Sequence, residues 1–185
     1  LNKGFEGIKQ IGIIGWGSQA PSQALNLYDS LQEANSDIKI KIGLRPESKS
    51  IQKVLDTGVF KKENIGQIDE VLQESDMNLI LISDKAQVDN YNRIFNNIRP
   101  GTTLGFSHGF LLGHLNNINK KYPKDVNIIM MAPKGMGPSL RKEYLKGGGI
   151  NSSVSVENDT DGKATDYALS WALGVGSPII FETTL

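Results

Sequence analysis

The stretch Gln-Ile-Gly-Ile-Ile-Gly-Trp-Gly-Ser-Gln-Ala, residues 10–20, constrains the fold most tightly. Apolar β-formers run straight into Gly15, and residues suited to a helix begin a few positions later. A strand that turns into a helix over so few residues needs small side chains at the bend. Gly15-x-Gly17-x-x-Ala20 has the spacing of the βα turn that holds a dinucleotide, with Ala20 as the third small residue. Gly15 permits the tight turn, Gly17 leaves the backbone open to a pyrophosphate, and Ala20 lets the helix pack close to the strand. Such a helix points free N–H groups and its positive end at the phosphates. The same pattern also serves a tight turn that holds nothing, so the rest of the chain has to discriminate.

Short β-rich runs alternate with helical stretches along the whole chain. Strands are expected at 10–14, 38–42, 79–82, 102–107, 126–132, 151–156 and 178–183. Helices are expected from 18 or 21 to about 33, and at 51–55, 68–74, 88–98, 138–146 and 162–173. The run Leu79-Ile80-Leu81-Ile82 is apolar throughout, as a parallel strand covered on both faces should be. Gly147-Gly148-Gly149 stops the helix before it. This βαβαβ order predicts one domain spanning 1–185: a doubly wound, Rossmann-type α/β sheet, mostly parallel, with helices on both faces. Ligands bind such sheets at the carboxyl ends of the strands. The segments to inspect are therefore 15–19, 44–50, 83–87, 108–109 and 133–137, all polar or glycine-rich.

The second of these segments selects among dinucleotides. An NAD site usually ends its second strand with an acid that accepts from the ribose 2′-hydroxyl. Here the sequence reads Leu44-Arg45-Pro46-Glu47-Ser48-Lys49-Ser50. A guanidinium clamps a 2′-phosphate, and Ser48 and Ser50 can donate to its remaining oxygens. NADP is favoured over NAD, with Glu47 turned to solvent. The alternative for Arg45 is an ordinary solvated arginine.

Bulk properties exclude several classes. The formal net charge is zero, so bulk attraction to nucleic acid or an anionic membrane is not indicated. The chain has no cysteine, which removes disulfides, thiolate nucleophiles and cysteine-bound metals. No apolar run approaches the roughly 20 residues of a membrane span.

Six segments together resemble one family: "GIKQIGIIGWGSQAPSQALNL", "IKIGLRPESKS", "LILISDKAQVDNY", "LGFSHGFLLGHL", "APKGMGPSLRKEY" and "DGKATDYALSWALGVGSP". The chain is similar to the cofactor-binding N-terminal domain of the ketol-acid reductoisomerases, also called acetohydroxy acid isomeroreductases, and most to their long, plant-type form. The resemblance implies a Mg²⁺-dependent alkyl shift in 2-acetolactate or 2-aceto-2-hydroxybutyrate, then hydride transfer from NADPH to give a 2,3-dihydroxy acid in branched-chain amino-acid synthesis. It implies that Trp16, Gly17, Ser18 and Gln19 line the pyrophosphate, and that Arg45, Ser48 and Ser50 hold the 2′-phosphate. Ser83, Asp84 and Gln87 would border the adenosine and nicotinamide side, and Gly137 would approach the nicotinamide. His108, in Ser-His-Gly, matches the family's active-site histidine. Two departures are small: Ala86 stands where short bacterial forms often carry Gln, and Ala20 where plant-like forms commonly carry Gly.

In that family Mg²⁺ is held by Asp and Glu of a helical, knotted C-terminal domain that begins just beyond the point where this chain stops. No carboxylate here matches a metal ligand, so the metal is expected only with that domain. The chain alone is expected to bind NADPH without carrying out the reaction. Its expected partners are the acetohydroxy acid and its own C-terminal domain, within a homo-oligomeric full-length protein. Nucleic acid and membrane are not expected partners. The compartment would be a plastid in a eukaryote and the cytoplasm otherwise.

Other residues keep two readings. Read from its residues alone, His108 serves either proton management or loop capping. Lys134 either approaches an anion or is a solvated loop lysine, and Trp16 either covers the cofactor or fills the surface beside the turn. His114 has no third ligand near it and is a poor metal candidate. A related β-hydroxyacid dehydrogenase is disfavoured by "FSHGF" and "PKGMGPS". A stand-alone NADPH-binding protein without catalysis is the remaining alternative.

Overall fold

A computed structural model describes residues 1–184. The chain alternates β1 (Gln10–Ile14), α1 (Ala20–Glu33), β2 (Lys39–Leu44), α2 (Ser50–Leu55), β3 (Ile65–Gln67), α3 (Ile68–Glu74), β4 (Met77–Ile80), α4 (Asp84–Asn97), β5 (Thr103–Phe106), α5 (Phe110–Asn117), β6 (Asn127–Pro133), α6 (Gly137–Leu145), β7 (Ser152–Asn158), α7 (Ala164–Gly174) and β8 (Ile180–Glu182). The strands form one sheet in the order β3-β2-β1-β4-β5-β6-β7-β8. From β3 to β6 every neighbour is parallel, as the βαβ alternation demands. Strand order reverses direction between β1 and β4, and that is the switch point where a crevice opens in such sheets.

One pairing is antiparallel. Pro133 at the end of β6 lies opposite Ser152 at the start of β7. The segment between them, including α6, therefore leaves and returns at the same edge of the sheet. It is an excursion rather than a crossover, and it brings the start of α6 against the loop after β1.

Alternation along the strands sorts the core into two layers. Ile11, Ile13, Met77, Leu79, Ile129 and Met131 face one layer with Leu27, Tyr167 and Trp171. Ile14, Ile80, Leu104, Phe106 and Ile128 face the other with Val71, Ile94 and Leu111. Gly105 sits between two of these second-layer residues and points to the first layer. A Cβ there would lie 2.8 Å from the Trp171 ring, so the missing side chain seats the indole.

Most expected elements are present, and four differ. β4 starts at Met77 because Asn78, which interrupts the apolar run, is fully buried with its amide donating to the Leu72 carbonyl at 3.2 Å. Leu81 and Ile82 run past the end of β4. α4 starts at Asp84, four residues early, since the Ser83 hydroxyl caps it by accepting from the Ala86 N–H. The short strand β3 and the helix α5 were not foreseen. β3 has only three residues, and α5 carries Gly113 in its interior, which weakens a helical pattern.

Trp171 is fully buried and its indole N–H donates to Gln23 Oε1 at 3.1 Å. Trp171→Ala removes both the packing and the bond, and is expected to cost about 3–5 kcal/mol in urea unfolding.

Candidate functional site

The loop after β1 is shaped by its approach to the end of β4. Gly15 has φ +96, and a Cβ would lie 2.5 Å from Ile82 Cγ2. Both its backbone and its surroundings require glycine. Gly17 is different. It is exposed, its φ is not in the left-handed region, and a Cβ would meet nothing nearer than the Leu81 carbonyl at 3.4 Å. The fold itself does not demand glycine there, and the bare backbone is open to the surroundings. Behind it α1 opens with no acidic residue in its first turn and no side-chain cap. Its positive end is left without a protein counter-charge.

A groove runs along this loop in two connected parts that share Gly17, Ile82 and Ser83. One part, about 470 Å³, is lined by Ser18, Gln19, Asp84, Ser107 and His108. The other, about 350 Å³, is lined by Gly15, Trp16, Arg45, Ser48 and Ser50, and also by Asn90 and Arg93. Eleven of the thirteen residues singled out in the sequence thus meet in one place, with Gly17 shared by its two parts. A larger cleft, about 560 Å³, opens elsewhere beside Tyr28, Asp37 and Phe60, and none of those thirteen residues lines it.

Arg45 is exposed and makes no ion pair or side-chain hydrogen bond among the described residues. It opens a turn in which the Ser48 N–H donates to the Arg45 carbonyl at 3.1 Å. Pro46 and a left-handed Glu47, at φ +60, fill the two central positions, the pattern of a type II turn. Glu47 is exposed, and the Ser48 hydroxyl accepts from the Ser50 N–H at 3.2 Å, which leaves its proton free to donate outward.

At the other end, His108 Nε2 lies 2.9 Å from Asp84 Oδ1. The Phe110 N–H donates to His108 Nδ1 at 3.4 Å. The two contacts agree on one neutral tautomer, with the proton on Nε2 pointing at the carboxylate. Both side chains are about half exposed, 46% and 53%, so the pair stands in the groove rather than beneath it.

Trp16 stands between the groove and the core. It lines the groove, and its ring meets Phe60 edge-on at 6.0 Å, fastening the loop to the core. Lys134 is tied to Ser153 Oγ at 2.6 Å and lies 5.5 Å above the Phe181 ring. The partly buried His114 ring meets Tyr91 edge-on at 6.4 Å. Two expected groove residues lie outside its lining. Gln87 is 1% exposed, and its amide donates to the Ile82 carbonyl at 3.0 Å, bracing the loop from below. Gly137 is buried against the first loop, where a Cβ would overlap the Ser18 carbonyl oxygen. Its glycine lets α6 abut that loop.

Sequence reasoning missed the amide network behind the groove. Gln19 donates to the Gly135 carbonyl at 3.0 Å, while buried Gln23 donates to Gln19 and to Ser107 Oγ. The spacing of Gln19 and Gln23, one helical turn apart, was the available signal. Arg93 was also missed. Its Nε and Nη2 donate to the two oxygens of Asp69 at 2.7 and 2.9 Å, and those hydrogen bonds raise the Arg93 pKa. Among the described residues, no three His, Asp or Glu side chains come together in a metal-binding group.

Residues 7–179 match the family model described as "Acetohydroxy acid isomeroreductase, NADPH-binding domain". The whole chain is 52% identical to the chloroplastic ketol-acid reductoisomerase of Spinacia oleracea, covering 32% of that protein. Over 95% of its length it is 37% identical to the NADP(+) ketol-acid reductoisomerase of Psychrobacter arcticus, covering 49% of it. A solved NADH-preferring ketol-acid reductoisomerase from an uncultured archaeon superposes with a TM-score of 0.81 at 32% identity, over 95% of this chain and 52% of that one. The chain thus spans about a third to a half of the length of these relatives.

The two loop glycines should respond differently to a methyl group. Gly15→Ala is expected to destabilise by about 1–3 kcal/mol through strain and overlap. Gly17→Ala is expected to stay within about 0.5 kcal/mol of the parent. Urea unfolding midpoints of the two variants check this. For the histidine, ¹⁵N shifts of the His108 ring should show the Nε2–H form in the parent chain at neutral pH, and a mixture of tautomers in Asp84→Asn.

Proposed function

This chain belongs to the acetohydroxy acid isomeroreductase (ketol-acid reductoisomerase) family, and from that premise we propose that it is the NADPH-binding part of an enzyme that converts 2-acetolactate or 2-aceto-2-hydroxybutyrate into a 2,3-dihydroxy acid. Family membership by itself does not select the coenzyme, since one solved relative is described as NADH-preferring. What supports NADPH is the charge pattern of the groove. Unpaired Arg45 stands with Ser48 and Ser50 beside a helix end that has no acidic cap. A 2′-phosphate fits that set, and no carboxylate lines this part of the groove to accept a ribose 2′-hydroxyl instead.

The residues divide the coenzyme between them. Gly17 and the first turn of α1 take the pyrophosphate, and Arg45, Ser48 and Ser50 take the 2′-phosphate. The half lined by Ser107 and His108 then remains for the nicotinamide and substrate. The bound coenzyme supplies the hydride. His108, oriented by Asp84 and the Phe110 N–H, holds its proton on Nε2 toward Asp84, in the half of the groove left to the substrate. Gln23, through Gln19 and Ser107, ties the loop after β1 to the end of β5 within that half of the groove.

The alkyl shift calls for a hard divalent cation, which takes several oxygen ligands in close geometry. The described residues do not bring such a set together. The ligands are assigned to a part of the protein outside this chain, the helical domain that also carries much of the subunit contact. The likeness to chloroplastic plant proteins favours a plastid for this one if its source is a eukaryote.

Titration of this chain with NADPH and NADH tests the coenzyme assignment. Arg45→Asp is expected to weaken NADPH by about 10- to 100-fold, the value of one or two charge-assisted bonds, and to leave NADH within about threefold. Unchanged NADPH affinity in that variant removes the assignment.

A further inference from the structure

The 2′-phosphate side of the groove has a second arginine that the proposed function has not used. Arg93 on α4 lines the same cavity as Arg45, on the flank that also carries Ala86 and Asn90. Its Nε and Nη2 are both taken by Asp69 on α3, in a bidentate pair that joins two helices. Such a fork fixes the plane of the guanidinium as well as its position. The side chain remains 45% exposed, and its Nη1 has no partner among the described residues. Apolar atoms of Ile68, Ile82 and Ile94 line the same cavity. An immobilised flat cation beside apolar walls is what a purine ring stacks on. A phosphate does not need the plane, and Arg45 already offers it a free charge.

Resting on the coenzyme reading above, we propose that Arg93, held flat by Asp69, is the platform for the adenine ring, and that Asp69 acts on the coenzyme only by positioning Arg93. The guanidinium presents its face to the purine, and its remaining edge donates outward through Nη1. Asp69 would otherwise be an uncompensated carboxylate near the 2′-phosphate, and the pair neutralises it. An ion pair as exposed as this contributes at most about 1 kcal/mol to folding, so variants of it should remain folded.

Calorimetric titration of this chain with 2′,5′-ADP, which carries the adenosine and both phosphates, and with reduced nicotinamide mononucleotide provides the test. Arg93→Ala is expected to weaken 2′,5′-ADP about fivefold, the size of one guanidinium–ring contact, and to leave the mononucleotide unchanged. Arg93→Lys separates plane from charge. It is expected to bind 2′,5′-ADP as weakly as Arg93→Ala, because an ammonium keeps the charge and loses the fork. Asp69→Asn, which leaves the guanidinium free to turn, is expected to fall between the parent and Arg93→Ala. Full affinity in Arg93→Lys reduces the residue to a point charge and overturns the proposal, as does full affinity in Arg93→Ala. Failure of the parent chain itself to bind 2′,5′-ADP and NADPH would overturn the coenzyme reading, and this inference with it.

Discussion

The close contact between the loop after β1 and the end of β4 sets the geometry of everything around it. The Leu81 N–H donates to the Ile14 carbonyl at 3.0 Å, and the Gly15 N–H donates to the Gly43 carbonyl at 2.9 Å. The loop is therefore held by β4 on one side and β2 on the other. Only a residue without Cβ fits between them with the left-handed backbone that starts the turn. Once Gly15 has turned, Ala20 is drawn fully into the core and α1 has one path down the sheet. The groove is what remains between that helix end and the overrun of β4 at Leu81 and Ile82.

A second set of contacts keeps the groove from being merely a gap between elements. Trp171 donates to Gln23, and Gln23 reaches Ser107, at the end of β5, and Gln19. Gln19 in turn reaches Gly135, in the loop before α6. Three segments far apart in sequence are thus tied to the buried Gln23 amide, the last of them through Gln19. From the other direction α6 is held against α1 by Asn26, which accepts from Arg141 at 3.0 Å and donates to the Val175 carbonyl at 2.9 Å. Buried polar groups of this kind are costly when left half satisfied and rigid when complete. Here they position His108 and the phosphate loop relative to each other although neither is in the core.

How much of this the sequence discloses depends on the range of the interaction. Gly15 and Gly17 are legible because turn chemistry is local, and Arg45 because it stands at a fixed place after the second strand. The alternation of strands and helices follows from periodicity, so the mostly parallel sheet and its switch point follow too. What cannot be read are contacts between elements. Gln87 sits at the right place in the chain to face a ligand, yet its helical phase turns it under the loop. Gly137 looks like a ligand-facing glycine until α6 is seen to abut the Ser18 carbonyl. The His108–Asp84 pair joins the ends of two strands, and the Arg93–Asp69 pair joins two helices, so no local spacing announces either. The antiparallel return of β7 is of the same kind, since its direction depends on where α6 packs.

The charges of the groove can be sorted by whether the protein itself answers them. Asp69 is neutralised by Arg93, whereas Asp84 accepts a hydrogen bond from neutral His108 and keeps its charge in the half of the groove away from Arg45. Arg45 and the opening turn of α1 are not answered by anything among the described residues. In a half-open cleft the field of unanswered positive groups is concentrated by the low-dielectric walls. A neutral ligand would gain little from such an arrangement, and a single phosphate would engage only one end of it. A ligand that carries phosphates both at the helix end and beyond β2, with a flat apolar ring between its charged parts and the Arg93 face, uses every unanswered positive group at once. The selectivity of the groove therefore comes from the spacing of its uncompensated charges along the loop, more than from any one residue.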